Sequence, residues 1–429
     1  VSNAGVFCNT PWYELHIYWD GSLGICCQEA HKLYTDHSYN IATMTIAEWF
    51  NSEPVRDFRQ RILKDSRLSE CRRCYTEEDS GGNSRRHKSN QKSVIFNQAF
   101  KYSFEQSPSR EHFDESGFTS TQPIDIHIDL GNYCNLACKM CNAQASSRIA
   151  VQEVKWGMQS SQQFVRSDWT LDTTVWNNFK QQLLAIPGLN NIHFMGGETL
   201  LTDRFEDIVD TLIAHQRFET CFSFVTNGTV FRSELLAKLS KFRRVGIEVS
   251  IETVDDHNTY QRQGTDTAQV LRNIDHYLEV CNGTNITVSL RPAISALTIG
   301  YYAGLLKYAL QNKLTVKGLQ VNTPRFLDAT VLPQEVKQQY IVQYHNILQD
   351  LDSVNMVLDY NASDPNNYQL VVKQQAQMCI NMLSQPAPHD VEQLRDQLVK
   401  HCKKWDKIYH LDARQLYPEL TAVWDQYGY

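Results

Sequence analysis

Cys134, Cys138 and Cys141 form a C-x3-C-x2-C array within Leu130-Gly-Asn-Tyr-Cys-Asn-Leu-Ala-Cys-Lys-Met-Cys-Asn142. Thiolates this close together can hold three irons of a four-iron cluster and leave the fourth without a protein ligand, since such clusters are otherwise held by four cysteines. An open iron invites a small molecule to chelate it, as catalytic metal sites keep one position free. The alternative is zinc, which takes four ligands from paired C-x2-C units. Neither a fourth cysteine nor a histidine lies near the array to complete such a set.

A second set stands earlier: Cys8, then Gly21, then Cys26-Cys27, and later Cys71-Arg-Arg-Cys74. Between the pairs, Tyr13-Glu-Leu-His-Ile-Tyr-Trp-Asp-Gly21 reads as a strand entering a turn, and Ile46 to Lys64 as helical, with Trp49, Phe58 and Ile62 on its apolar positions. A hairpin followed by a helix would bring the cysteines together, around a cluster or around a structural zinc.

Polar motifs follow several apolar runs. Asn191 to Met195 leads into Gly196-Gly197-Glu198, where two glycines let backbone approach a ligand and a carboxylate can receive an ammonium group. Thr226 and Asn227 end the next run. Ser250 and Glu252 share one face of Val245 to Glu252, because alternate strand residues point the same way. Arg262 follows, with a planar fork suited to a carboxylate. Arg291, Gln320, Asn322 and Arg325 are further candidates for ligand contact, against surface salt bridges and loop caps as the plainer reading. His127 and His193 alternate with apolar neighbours and read as packed strand residues. The basic run Ser84 to Lys92 reads as a solvated face, and Cys221, Cys281, Cys379 and Cys402 as small core residues. Were one of these a radical donor, Cys379 would be the first to test.

These residues need a scaffold, and from Ile124 strands and helices alternate, the sign of a parallel sheet covered by helices. Strands are expected at 124–130, 191–196, 221–226, 245–251, 285–291 and 315–322, and helices near 142–156, 172–186, 203–217, 231–242, 266–281 and 298–312. Six units are too few for a closed eight-stranded barrel, and the polar motifs fall at the strands' carboxyl ends, where such folds do their chemistry. Past Leu332-Pro333 the pattern turns helical, notably at Gln334 to Leu351 and Val391 to Trp405. The expected division is 1–76 for the first cysteine segment, 77–122 for a Ser-, Gly-, Gln- and Asn-rich connector, 123–332 for the α/β unit and 333–429 for a helical extension.

The three-cysteine array, with Gly196-Gly197-Glu198 some 55 residues on, resembles the radical S-adenosylmethionine (SAM) enzymes. The family usually has an aromatic residue where this chain has Met140, whose apolar side chain can still pack on adenine. The resemblance implies a partial (β/α)6 TIM-like barrel and a [4Fe-4S] cluster on Cys134, Cys138 and Cys141. It also implies contacts to SAM from Gly196, Gly197, Glu198, Thr226, Asn227, Ser250 and Arg262, and to its ribose from Glu252, where Asp is commoner. The spacing from Cys8 through Gly21 to Cys26 is similar to the first half of SPASM and Twitch domains. That similarity implies an auxiliary iron–sulfur cluster on Cys8, Cys26, Cys71 and Cys74, with Cys27 spare, although such elements normally follow the barrel.

The implied activity is reductive cleavage of SAM to a 5′-deoxyadenosyl radical that abstracts hydrogen from a substrate. A ribosomally made peptide leads as substrate. A sugar, nucleoside or amino acid is the alternative, and the net charge of −7 argues against RNA and nucleic acid generally. From another class comes an iron–sulfur electron carrier, which would have no use for a SAM pocket. An external donor such as flavodoxin or ferredoxin is the implied partner. With 21% charged and 42% hydrophobic residues and no run approaching the roughly 20 apolar residues of a membrane span, a soluble cytoplasmic protein is expected. Twelve cysteines in a chain of this size suit metal in a reducing cytosol better than disulfides. Val1-Ser-Asn-Ala4 has no initiator Met and no signal-peptide pattern, and reads as a trimmed or added end.

Overall fold

The computed structural model describes residues 6–28, 38–64, 67–79, 84–91, 110–165, 168–353 and 367–429. Nearly half of the expected connector, at 80–83 and 92–109, lies outside them, including Lys92 of the basic run.

The strands are β1 (Glu14–Ile17), β2 (Leu23–Gly24), β3 (Asp125–Asp129), β4 (Ala137–Cys138), β5 (Asn191–Met195), β6 (Cys221–Thr226), β7 (Arg244–Val249), β8 (Arg262–Gln263), β9 (Ile286–Leu290), β10 (Ala293–Ile294), β11 (Thr315–Val316) and β12 (Leu319–Gln320). One open sheet runs in the order β11-β9-β7-β6-β5-β3-β1-β2. Its six strands from β3 to β11 are parallel, with helices between them, which is the expected partial (β/α)6 barrel.

Alternation explains the layering. Ile126 and Ile128, Ile192 and Phe194, and Phe222 and Phe224 are buried on the helix side, while Asp125, His127, His193 and Ser223 take the opposite pleats. Against the apolar side lies helix Asp203–Ala214, begun by a Thr202 cap and burying Phe205, Ile208, Val209 and Leu212 at helical spacing. Phe205 meets Phe194 edge-on at 4.8 Å. Each such side chain withdrawn from water stabilises the fold by about 1.5–3 kcal/mol.

Two departures stand out. The expected strand 315–322 is split, because the chain leaves the main sheet at Lys317-Gly318 and β12 pairs instead with β10. A Cβ on Gly318 would meet Gln375 Oε1 at 2.2 Å, so a side chain there would require the Gln375 side chain to move. At the other edge, β1 of the first cysteine segment pairs in parallel with β3, Glu14 opposite Asp125 and His16 opposite His127. The sheet thus continues out of the barrel, and one hydrophobic core contains Trp12, Leu15, Trp49 and Phe58 together with the barrel's apolar residues.

The basic run is not a solvated face. It forms helix Arg85–Asn90, capped by Ser84, and Arg86 is buried in a two-pronged pair with Glu78 at 2.6 and 3.0 Å. His127 and His193 are buried as expected, their rings 4.8 Å apart, with His193 Nδ1 2.7 Å from Ser223 Oγ.

In the extension, helices Gln334–Ser353 and Tyr368–Ser384 pack on each other and on helix Tyr302–Gln311. Helix Val391–Tyr409 lays Trp405 over Ala137, Ala143, Ile149 and Ala150, beside the three-cysteine loop. Among the described residues, no helix is long and apolar enough to cross a membrane.

Candidate active site and a second cysteine site

The three-cysteine loop leaves the carboxyl end of β3 and is fastened on three sides. Cys138 in β4 stands opposite Arg262 in β8, and Lys139 N donates to Gln261 O at 2.8 Å. Glu198 N donates to Tyr133 O at 2.8 Å, tying the Gly-Gly-Glu turn to the loop. Asn227 Nδ2 donates to Asn135 Oδ1 at 2.8 Å, tying in the end of β6. Ser146 then caps helix Ser147–Lys155 while its hydroxyl donates to Leu136 O at 2.8 Å.

These ties draw Cys134, Cys138, Cys141, Gly197, Glu198, Thr226, Asn227, Ser250 and Arg262 around one cleft of about 630 Å³, mouth included. Met140 also lines it, in keeping with an apolar contact at that position. Gly197 sits at φ +47°, where an added Cβ would lie 2.2 Å from Tyr133 O, and Gly196 at φ +78°, where it would lie 2.6 Å from Gly131 O. Glycine is required at both, because the turn is pressed backbone to backbone on the cysteine loop.

Glu198 is buried and well satisfied: its carboxylate accepts from Thr226 Oγ1 at 2.7 Å, Asn227 N at 2.5 Å and Leu200 N at 3.1 Å. Burial outweighs those bonds and raises its carboxyl above the ordinary range. Burial likewise pushes up the thiols, Cys141 to about 11 and Cys138 further, despite the opposing charge of Arg262. Bare thiols here are therefore protonated at neutral pH, and binding metal must release those protons.

Glu252 departs from its expected place. It is fully buried, and Arg262 grips both its oxygens at 2.5 and 2.7 Å, with Ala293 N at 3.2 Å on one of them. A carboxylate so occupied does not face a ribose; it stands behind Arg262 and aims the guanidinium, whose Nη1 lies 3.7 Å from Cys138 Sγ. Burial alone would lower the Arg262 pKa, and Glu252 reverses that.

Cys379 is fully buried in helix Tyr368–Ser384, with its thiol pushed up to about 12 by burial, and does not line the cleft. Arg291 is paired with Glu248, Arg325 with Asp390 at 2.7 Å, and Gln320 with Asp328 at 3.3 Å, while Asn322 is exposed. Sequence reasoning missed Asn135, which bridges the cysteine loop to Asn227 and whose neighbours carry no hint of that contact.

Cys8, Cys26, Cys71 and Cys74 meet around a second, smaller space of about 420 Å³, walled by Ile25, Phe58 and Ile62 and edged by Arg85 and Arg86. Cys27 is not on its wall; its backbone N donates to Glu14 Oε1 at 3.3 Å. Burial raises the Cys8 thiol too, to about 11, while Cys26 is raised first by its hydrogen bond with Cys27 and then by burial.

The spacing of the sulfurs bears on the metal. Among the described residues, no three sulfurs of either set lie all within 4.8 Å of one another. One zinc ion bonded at ~2.3 Å would need its sulfurs under about 4 Å apart, closer than either set stands here. Two groups are drawn that tightly, Glu14 with Cys26 and Cys27 and Glu14 with Asp125 and His127. There Arg85 already supplies the positive charge, paired with Glu14 and 3.0 Å from His127 Nε2.

Residues 128–292 match the radical SAM superfamily, and residues 8–75 match SPASM, an iron–sulfur cluster-binding domain. The sporulation killing factor maturation protein SkfB of Bacillus subtilis (strain 168) is 28% identical over 134 residues, which is 31% of this chain and 27% of SkfB. The match thus spans little more than a quarter of that relative's length. Among solved structures, native anSMEcpe with bound AdoMet and Kp18Cys peptide is 16% identical, covering 53% of this chain and 62% of that one at a TM-score of 0.39. SuiB of Streptococcus suis bound to precursor peptide SuiA is also 16% identical, covering 53% and 47% at a TM-score of 0.34.

Proposed function

We propose, from the premise that this chain belongs to the radical SAM superfamily and carries a SPASM iron–sulfur cluster-binding domain ahead of its barrel, that it is a peptide-modifying radical SAM enzyme. The observation that carries the proposal is the convergence of three thiols with Gly197, Glu198, Thr226, Asn227, Ser250 and Arg262 on one cleft at the barrel's mouth. When bound, a [4Fe-4S] cluster and SAM supply one-electron cleavage to a 5′-deoxyadenosyl radical able to take hydrogen from an unactivated carbon.

The chain's own part is to hold and to orient. Cys134, Cys138 and Cys141 ligate three irons, and the polar side of the cleft receives the amino acid end of SAM. Gly196 and Gly197 let that end lie against backbone, and Glu198, fixed by Thr226 and Asn227, provides negative charge for an ammonium group. Arg262, its Nε and Nη2 held by Glu252, presents its Nη1 side to a carboxylate, and Ser250 and Asn227 add hydrogen bonds. Glu252 acts through Arg262 and is a positioning residue.

Cys8, Cys26, Cys71 and Cys74 fully ligate the auxiliary cluster, which fits electron transfer better than ligand binding. Electrons come from an external carrier such as a flavodoxin or ferredoxin. Thiolate ligands in this number need a reducing compartment, and the cytoplasm is the proposed location. The peptide as substrate is supported by SkfB, a maturation protein.

The test is anaerobic reconstitution with iron and sulfide, reduction by dithionite and addition of SAM. Formation of 5′-deoxyadenosine is expected. Its complete absence from cluster-loaded protein would favour an electron carrier instead.

A further inference from the structure

The auxiliary cavity has an asymmetric rim. Arg86 spends its guanidinium on Glu78 and on Phe7 O, at 2.6 to 3.0 Å. Arg85, next to it on the same short helix, lines the same cavity but is held differently. Its Nη2 is paired with Glu14 of β1 and lies 3.0 Å from His127 Nε2 of β3, while its Nε is buried with no hydrogen-bond partner among the described residues. The side chain is only 23% exposed. An unpaired buried donor is costly, more so when charged, so the arrangement fits an acceptor bound in the cavity that Arg85 lines. Cluster sulfides and the cysteine sulfurs that ligate them are such acceptors, and hydrogen bonds to sulfur together with nearby charge are established levers on cluster potential.

We infer that Arg85 is the electrostatic and hydrogen-bonding partner of the auxiliary cluster at its Cys26 side, and that it raises the cluster's affinity for an electron. The inference rests on Cys8, Cys26, Cys71 and Cys74 holding an iron–sulfur cluster, which iron and sulfide analysis checks separately.

Two observations support the assignment. Glu14, 1% exposed, stands behind the guanidinium and also accepts from Cys27 N, so it fixes Arg85 relative to the loop that carries Cys26. Both anchors, Glu14 and His127, lie in the shared sheet where β1 pairs with the first barrel strand. Arg85 is therefore held across the seam between the cysteine segment and the barrel, by one group from each. Backing groups that orient a partner of a metal site commonly matter nearly as much as the ligands.

The experiment uses the full chain with Cys134, Cys138 and Cys141 replaced by Ala, so that only the auxiliary cluster loads. Iron and sulfide are assayed, and the one-electron reduction of the cluster from its 2+ to its 1+ state by dithionite is followed by EPR at controlled potential. Arg85→Gln is expected to leave about tenfold less reduced relative to oxidised cluster at a fixed potential, a shift of ~59 mV to more negative values for a one-electron couple. Glu14→Gln, which removes the counter-charge, is expected to shift it the opposite way, and Arg85→Lys to fall between Arg85→Gln and the unaltered residue. A merely structural role would not give opposite signs. Loaded variants whose potentials do not move, or move in the same direction for Arg85→Gln and Glu14→Gln, overturn the inference. Failure of both Arg85→Gln and Arg85→Lys to load a cluster that the unaltered chain loads also overturns it, leaving Arg85 a structural prop.

Discussion

The two sets of thiols in this chain have opposite surroundings. At the barrel's mouth, three cysteines share a cleft of about 630 Å³ with Glu198, Thr226, Asn227, Ser250 and Arg262. In the N-terminal segment, four cysteines share about 420 Å³ with Ile25, Phe58 and Ile62. The set that is one thiol short is the one with room and with polar groups to hold a second molecule; the complete set is walled by apolar side chains, with Arg85 and Arg86 at its rim. Ligand number and wall chemistry thus vary together. This suits chemistry at one site and electron storage or transfer at the other, a division that can be tested by breaking each site in turn.

The largest effect is expected from Cys138→Ala, which should abolish 5′-deoxyadenosine formation while leaving one cluster's worth of iron. Cys71→Ala should do the reverse, losing the other cluster's iron yet still cleaving SAM in the absence of substrate. Equal loss of cleavage in both variants would end the proposed division of labour. Next comes Gly197→Ala, whose Cβ would be forced to within 2.2 Å of Tyr133 O. SAM affinity by equilibrium binding should fall at least about tenfold, equivalent to 1.4 kcal/mol, with auxiliary iron content unchanged.

A control outside both sets, with no expected effect on either cluster, sharpens the comparison. Glu248 lies between Arg291 and Lys317, and although burial would push its carboxyl up, the two cations pull it down to about 2. A carboxyl lowered on folding adds stability above its unfolded pKa and loses it as pH falls through the folded one. Glu248→Gln should therefore cost on the order of 2–3 kcal/mol at pH 7. Urea unfolding should show the deficit shrinking as pH drops from about 4 toward 2, with both clusters still loading at neutral pH.

The barrel was legible in the sequence because a parallel sheet buried under helices leaves apolar runs at regular intervals, as at Ile192 and Phe194 or Val245, Ile247 and Val249. The cleft was legible because its glycines and cysteines are required by backbone contact and ligation, which leave a local imprint. Other features depend on partners remote in the chain. Whether Glu252 faces a ligand or backs Arg262 is a matter of side-chain direction, and a carboxylate followed by an arginine reads the same either way. The pairing of β1 with β3 joins Glu14 to Asp125, a contact no local pattern announces. The same holds for Arg85 and Arg86, whose basic run reads as solvent-facing until Glu14 and Glu78 are brought to it.

That pairing of β1 with β3 has a consequence for synthesis. A ribosome releases the chain from its N-terminus, so Glu14–Ile17 emerges with only β2 available along one side. Its other side waits until Asp125–Asp129 has followed, more than a hundred residues later. Throughout that interval an unpaired strand edge, the kind of surface that recruits wrong neighbours, travels with Cys8 and Cys26. The strand made earlier is thereby completed only when the later one arrives.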